Sequence, residues 1–181
     1  THIVMGSGSN DKEKYSPEAS RETLDHSAMY IFAVALEDGE WHHEKSYAED
    51  RKKRKETIDL WNKIETFESD EWNKKYYDVS DPLQKAQGAK VEIILNNNDK
   101  ITDQLDYANA HPKGKTPFVR ENYINKMKKL FKNIVEEKEE KRFLNLIDNL
   151  SNLNQDDVKR LNVNCKEGFL NLDNNKIKGI Y

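Results

Sequence analysis

The side chains best suited to proton chemistry are the five histidines, and their neighbours decide what each can do. His26 and Tyr30 stand four residues apart at the start of an apolar run. If one helix holds both, they share a face in its first turns, beside Ser27. A helix start offers unpaired N–H groups and the positive end of the peptide dipoles, which suits a carboxylate. Imidazole exchanges protons near neutral pH. The spacing fits a site that holds an acid group and moves a proton. It also fits a capping or core histidine satisfied by a backbone carbonyl. His42 and His43 follow Trp41, but adjacent imidazoles seldom converge on one ion, and no ligand type stands three or four residues on. His111-Pro112-Lys113-Gly114 reads as a turn. His2 falls on a short strand, His2 to Met5, that runs into a glycine loop. Nucleophile-elbow, zinc-protease, CxxC and Walker patterns are absent, and Gly6-Ser7-Gly8 lacks the third glycine of a dinucleotide fingerprint.

The elements that must position these residues follow from periodicity. Ser16-Pro17-Glu18 predicts a helix start. Residues 28–36, AMYIFAVAL, are apolar on every face and predict a helix buried on all sides, closed by Asp38-Gly39. Residues 49–56, EDRKKRKE, lead into the helical stripe Ile58, Leu60, Trp61, Ile64. Such a run is expected as a solvated helix face, with contact to nucleic acid as the alternative. Residues 90–95 and 101–107, separated by Asn96-Asn97-Asn98-Asp99, predict a hairpin. A hairpin alone is marginal, and Ile64–Glu68 is the expected third strand. Residues 70–88 read as irregular. Residues 119–136 predict an amphipathic helix, and Phe143, Leu144, Ile147 and Leu150 a second helical stripe, broken near 151–156.

Composition bounds the function classes. The chain has 181 residues, with 30 Lys and Arg against 33 Asp and Glu, a net charge of -3. That balance argues against a surface built for nucleic acid. Mean hydropathy is -1.02, polar for a globular domain, yet three Trp and 9% aromatic residues argue for a packed core. One Cys excludes an internal disulfide and a three-Cys iron–sulfur site from this chain alone. No apolar run reaches the roughly 18 residues of a membrane helix, and no signal-peptide pattern opens the chain, so a cytoplasmic protein is expected. The start, THIVMGSGSN, reads either as an expression scar with a linker or as a chain that begins inside a longer one.

Several blocks together resemble the C-terminal portion of the MmgE/PrpD family. They are Thr1-His2-Ile3-Val4 with Gly6 to Asp11, then Ser20-Arg21-Glu22-Thr23-Leu24-Asp25-His26-Ser27 with Tyr30, then Glu37 to His43. Further on come Asp81-Pro82, Lys85-Ala86, Gly88, Ala108-Asn109-Ala110-His111-Pro112, Gly114 and Lys178-Gly179-Ile180. The resemblance implies that the Gly/Ser stretch is native and that the chain continues a longer polypeptide. It implies an α+β fold, with a lid domain over residues 1–116 holding a small antiparallel sheet. Residues 117–181 would be a helical segment that packs on a separate all-helical N-terminal domain of the same protein. It further implies a hydro-lyase without an iron–sulfur cluster or other cofactor. The substrate would be a small tricarboxylate such as 2-methylcitrate, in propionate degradation, and the enzyme a homodimer. Related members isomerise, decarboxylate or epimerise similar acids. By the same resemblance His26 and Tyr30 are the catalytic candidates, and Ser27, Arg21 and His2 the substrate-binding ones. The other reading of the chain is a binding or assembly module that uses the basic run 51–55.

Overall fold

Residues 6–169 are described in the computed structural model of the chain. The fold is α+β: among the described residues, eight α-helices and one two-stranded antiparallel sheet. The chain divides into two compact units. The first runs to Ala108 and takes in Lys113–Lys115; the second holds Asn109–Pro112 and the chain from Thr116 onward.

In the first unit, a 3-10 turn at Lys12–Tyr15 precedes α1 (Arg21–Asp25) and α2 (Ala28–Asp38). Ser16 does not start a helix; it closes the 3-10 turn. Ser20 caps α1 instead, its side chain accepting the Thr23 N–H at 3.2 Å. The apolar run begins a separate helix after a break at His26 and Ser27. Ser27 N–H bonds Leu24 O at 3.0 Å, closing α1, while Ser27 Oγ accepts the Tyr30 N–H at 3.1 Å, opening α2. Gly39, at φ 71°, ends α2 in the left-handed conformation that a residue without Cβ adopts freely.

α2 is not buried on all sides. Met29, Tyr30, Ala33 and Val34 are buried, whereas Ile31, Phe32 and Ala35 are half-buried and Leu36 is 49% exposed. The unit packs it from one side, chiefly with α1 and α4 (Lys55–Trp61). Around that face lie Leu24, Tyr47 and Trp61. The Tyr30 and Trp61 rings meet edge to face, centroids 4.9 Å apart, and Tyr15 stacks on Trp61 at 6.4 Å. Such aromatic pairs add about 0.5–1.5 kcal/mol beyond the area they bury.

The basic run is a solvated face only in part: Arg51 and Lys52 are buried, while Lys53, Arg54 and Lys55 stay exposed. It forms α3 (Glu49–Lys52) and enters α4. Arg51 is 4% exposed. Its guanidinium donates to both Asp38 carboxylate oxygens at 3.0 Å, to Glu37 Oε2 at 2.7 Å and to Thr57 Oγ1. Thr57 in turn donates to Glu37 Oε2 at 2.8 Å. Lys52 is also buried, its Nζ donating to Ala19 O at 3.1 Å and pairing with Glu49 at 2.7 Å. Lys53 pairs with Glu18 and Glu49, and Lys55 with Asp59. Four of the five cations of the run have a counter-charge within the fold, two of them, Arg51 and Lys52, in buried positions.

Residues 70–88 are only partly irregular. Asp70–Tyr77 form α5, with Asp70 and Glu71 in the first turn and Lys74 and Lys75 in the last, the polarity a helix dipole favours. The hairpin forms where expected: β1 (Ala89–Ile94) pairs with β2 (Lys100–Leu105), Ile93 opposite Ile101 and Val91 opposite Asp103, with Asn98 at φ 68° in the turn. Ile64–Glu68 is not its third strand. The Thr66 N–H donates to Ser9 Oγ at 3.0 Å and the Ser9 N–H to Thr66 Oγ1 at 2.9 Å, so side chains take the bonds a ladder needs. At the entry to β1, Gly88 lies so close to the Trp72 ring and the Leu105 carbonyl that a Cβ there would overlap both.

The second unit holds α6 (Arg120–Phe131), α7 (Glu137–Asp148) and the short α8 (Gln155–Lys159). α6 ends earlier than its periodicity suggested, because Asn133 turns left-handed at φ 68°. Phe131 and Phe143 join α6 to α7, centroids 6.0 Å apart. Cys165 forms an isolated bridge with Val135. Glu139 fixes the returning chain: it takes two bonds from Arg142 at 2.6 Å and the Asn164 N–H at 2.9 Å. The Arg142 guanidinium first, and the Asn164 N–H second, hold the Glu139 carboxyl down at about 2.

Two outcomes are expected. Arg51→Met should destabilise the first unit by about 3 kcal/mol, since Glu37, Asp38 and Thr57 lose their shared donor. All three tryptophans lie in that unit, so urea unfolding followed by Trp fluorescence reads it. Glu139 is more acidic folded than its ordinary 4.5. Its stabilisation is therefore complete above that value and is lost as pH falls toward 2. Acid titration of the Asn164 amide signal should show this loss in the native chain, and a flatter profile from a lower starting stability in Glu139→Gln.

Candidate functional site

The break between α1 and α2 decides where the candidate residues stand. His26 is the C-cap of α1, at φ -104° and ψ 16°, and lies one residue outside the cap of α2. It therefore does not share a helical face with Tyr30. His26 is exposed, and its Nδ1 lies 2.9 Å from the Glu22 carbonyl. A carbonyl only accepts, so Nδ1 carries the hydrogen and Nε2 of the neutral ring holds a bare lone pair. The bond is the one a capping histidine makes, and the same bond presents Nε2 as a base.

Tyr30 points the other way. It is wholly buried, and its hydroxyl donates to the Ser46 carbonyl at 2.5 Å. Burial pushes that hydroxyl up to about 12, so it stays a donor at neutral pH. Ser27 is equally buried; its Oγ donates to Lys14 O at 2.9 Å while it accepts the Tyr30 N–H. The start of α2 is thus filled by its own cap, and both hydroxyls are committed within the protein.

Arg21 opens α1 and is exposed. One of its terminal nitrogens donates to the His43 carbonyl at 2.8 Å, and its guanidinium lies over the Tyr47 ring, 5.5 Å from the centroid. The segment after Gly39 folds back to make this contact. Ser46 Oγ accepts the His42 N–H at 2.9 Å, and His42 Nδ1 accepts the Glu44 and Lys45 N–H groups at 3.1 and 3.3 Å. His42 and His43 stack at 4.6 Å rather than converging on a point.

Beneath Arg21 runs a chain of polar contacts that the sequence did not single out. Trp41 Nε1 donates to the Tyr47 hydroxyl at 3.1 Å, and that hydroxyl donates to Asp25 Oδ1 at 2.8 Å. Burial first, and then the Asp25 bond, push the Tyr47 hydroxyl up to about 12. The structure therefore joins Arg21, Asp25, Trp41, His43 and Tyr47 into one surface cluster, with His26 next in the chain after Asp25. Ser27 and Tyr30 lie in the layer below. His2 is outside the described residues. His111 falls in the second unit, apart from these contacts. The cluster offers an exposed guanidinium and an exposed imidazole base; among the described residues no group of three or more His, Cys, Asp or Glu gathers as a metal site.

A family model, the MmgE/PrpD C-terminal domain, matches residues 2–152. The match spans the whole of the Arg21–Tyr47 cluster, both strands, and α6 and α7.

Tyr30→Phe should leave the ring packing in place but orphan the buried Ser46 carbonyl, a cost of about 1–3 kcal/mol. Ser27→Ala removes a cap and a buried hydroxyl together and should cost about 2 kcal/mol. Trp61 fluorescence during urea unfolding checks both, and a stability unchanged in Tyr30→Phe would contradict the buried bond.

Proposed function

We propose, from the premise that this chain belongs to the MmgE/PrpD family, that it is the C-terminal part of a hydro-lyase that removes water from 2-methylcitrate. The family match over residues 2–152 carries this reading. In it, the chain works with an all-helical N-terminal domain of the same polypeptide. Residues 1–116 act as the lid, residues 117–181 pack on the helical domain, and the enzyme is a cytoplasmic homodimer of propionate degradation.

The reaction asks for few parts. A base takes a proton from a carbon next to a carboxylate, the electron pair forms the new double bond, and the hydroxyl of the neighbouring carbon departs as water with a proton from an acid. Cations or N–H groups must hold the carboxylates as charge shifts onto them. The proposed parts from this chain are two. His26 takes the proton at Nε2, since Glu22 O fixes the hydrogen on Nδ1. Arg21 clamps a substrate carboxylate with the guanidinium hydrogens that His43 O does not use. Tyr30 and Ser27, with their hydroxyls committed, act as positioning residues: they seat α2 and the segment that returns to Arg21. The acid for the departing hydroxyl is assigned to the helical domain.

The test uses the full-length protein with 2-methylcitrate and with citrate, following the absorbance of the unsaturated product. His26→Ala should lower kcat by at least about 100-fold. Arg21→Gln should mainly raise KM, because a carboxylate is held by the guanidinium before and during the reaction. Absence of product with both acids overturns the dehydratase reading, and near-normal turnover in His26→Ala overturns the role of His26.

A further inference from the structure

Tyr47 stands between Arg21 and the turn carrying His26 and contacts the holders of both. Its ring lies under the Arg21 guanidinium, 5.5 Å from the centroid. The same ring meets Trp41 edge on at 5.9 Å and Tyr30 at 5.8 Å, which fixes it from below and from the side. Its hydroxyl accepts from Trp41 and donates to Asp25, the residue before His26. Tyr47 itself is 8% exposed, so it is too enclosed to meet a substrate directly, while Arg21 and His26 above it are open.

We infer that Tyr47 is a positioning residue for the carboxylate-binding face, holding Arg21 with its ring and the His26 turn with its hydroxyl. The inference rests on the proposed role of Arg21 as a carboxylate clamp. The two halves of the side chain do different work. A guanidinium against an aromatic face is attracted by the ring quadrupole, a contact that uses none of its hydrogens as hydrogen-bond donors. Arg21 is otherwise held by one bond to a carbonyl, which fixes one nitrogen and leaves the fork to swing. The hydroxyl fixes Asp25 at the last turn of α1. That turn carries the Glu22 carbonyl and the His26 ring in a set relation.

Because ring and hydroxyl act on different partners, two variants separate them. Tyr47→Phe keeps the ring and loses the link to Asp25. Tyr47→Leu loses both. In the 181-residue chain, the Arg21 side-chain NMR signals should be displaced by the Tyr47 ring current. They should keep that displacement in Tyr47→Phe and lose it in Tyr47→Leu, with the Trp61 signals unchanged as evidence of an intact core. Titration of the full-length protein with citrate should perturb Arg21 in the native form and in Tyr47→Phe, with binding about fivefold weaker in Tyr47→Leu. In the full-length enzyme the expected split is a lower kcat with unchanged KM for Tyr47→Phe, and a raised KM as well for Tyr47→Leu. A role in stability alone would not divide the two constants between the two variants. Arg21 signals that are undisplaced in the native chain, or that do not move in Tyr47→Leu, overturn the inference. Citrate that leaves native Arg21 unperturbed overturns the carboxylate part of it. A full-length enzyme inactive on both acids defeats the dehydratase reading instead, while the Arg21 signals still decide the place of Tyr47.

Discussion

One buried hydrogen bond organises the first unit: the Tyr30 hydroxyl on the Ser46 carbonyl, at 2.5 Å. Tyr30 is the residue of α2 whose side chain reaches through the core, past Trp61, to the segment on the far side. Without that donor, Ser46 would bury a carbonyl with no partner, and the path from Gly39 to Tyr47 would have no reason to close on α2. With it, Ser46 Oγ can take the His42 N–H, Tyr47 can lay its ring beside Tyr30, and Arg21 can rest on that ring. The exposed face is set by a polar contact that lies wholly beneath it.

The far end of α2 is held by charge. Arg51 brings a buried cation to Glu37 and Asp38 in the last turn of the helix. A lone buried charge is costly, but this one meets two carboxylates and a threonine hydroxyl that itself bonds Glu37, so each of its three nitrogens donates to an acceptor. A positive charge at the C-terminal end of a helix also meets the negative end of its dipole. α2 is therefore fastened twice: by the Ser27 cap and Tyr30 near its start, and by Arg51 at its close. The same arrangement takes Arg51 and Lys52 out of any binding surface on the basic run and leaves Lys53, Arg54 and Lys55 exposed.

Local chemistry was legible in the sequence; pairings between distant residues were not. Asn-rich turn chemistry placed the hairpin, Gly39 placed the end of α2, and helical spacing placed α6 and α7, because each signal acts within a few residues. The helix start failed at Ser16 because Ser20 offered a competing cap four residues later. The shared face of His26 and Tyr30 failed for a related reason: Ser27 bonds forward to Tyr30 and so excludes His26 from the helix. The third strand failed because Ser9, more than fifty positions away, answers the backbone of Thr66. The burial of Arg51 was hidden because its counter-charges, Glu37 and Asp38, lie on another helix. Tyr47 was invisible for the same cause: no motif marks a tyrosine whose partners, Asp25 and Arg21, come from an earlier helix.

The resemblance placed a catalytic histidine and tyrosine side by side, and the fold divides their labour. Imidazole at a helix C-cap keeps one nitrogen on the backbone and turns the other outward, a geometry that serves stability and reactivity at once. A tyrosine hydroxyl cannot do both, since one donor spent on Ser46 is not available to a substrate. Burial pushes its hydroxyl up to about 12, so it stays protonated at neutral pH. Ser27 follows the same logic, with its one hydrogen on Lys14 O and one of its two lone pairs on the Tyr30 N–H. What separates the two groups is therefore exposure together with the use of their hydrogens: Arg21 and His26 are open to solvent, whereas Ser27 and Tyr30 are wholly buried with their hydroxyl hydrogens given to backbone carbonyls.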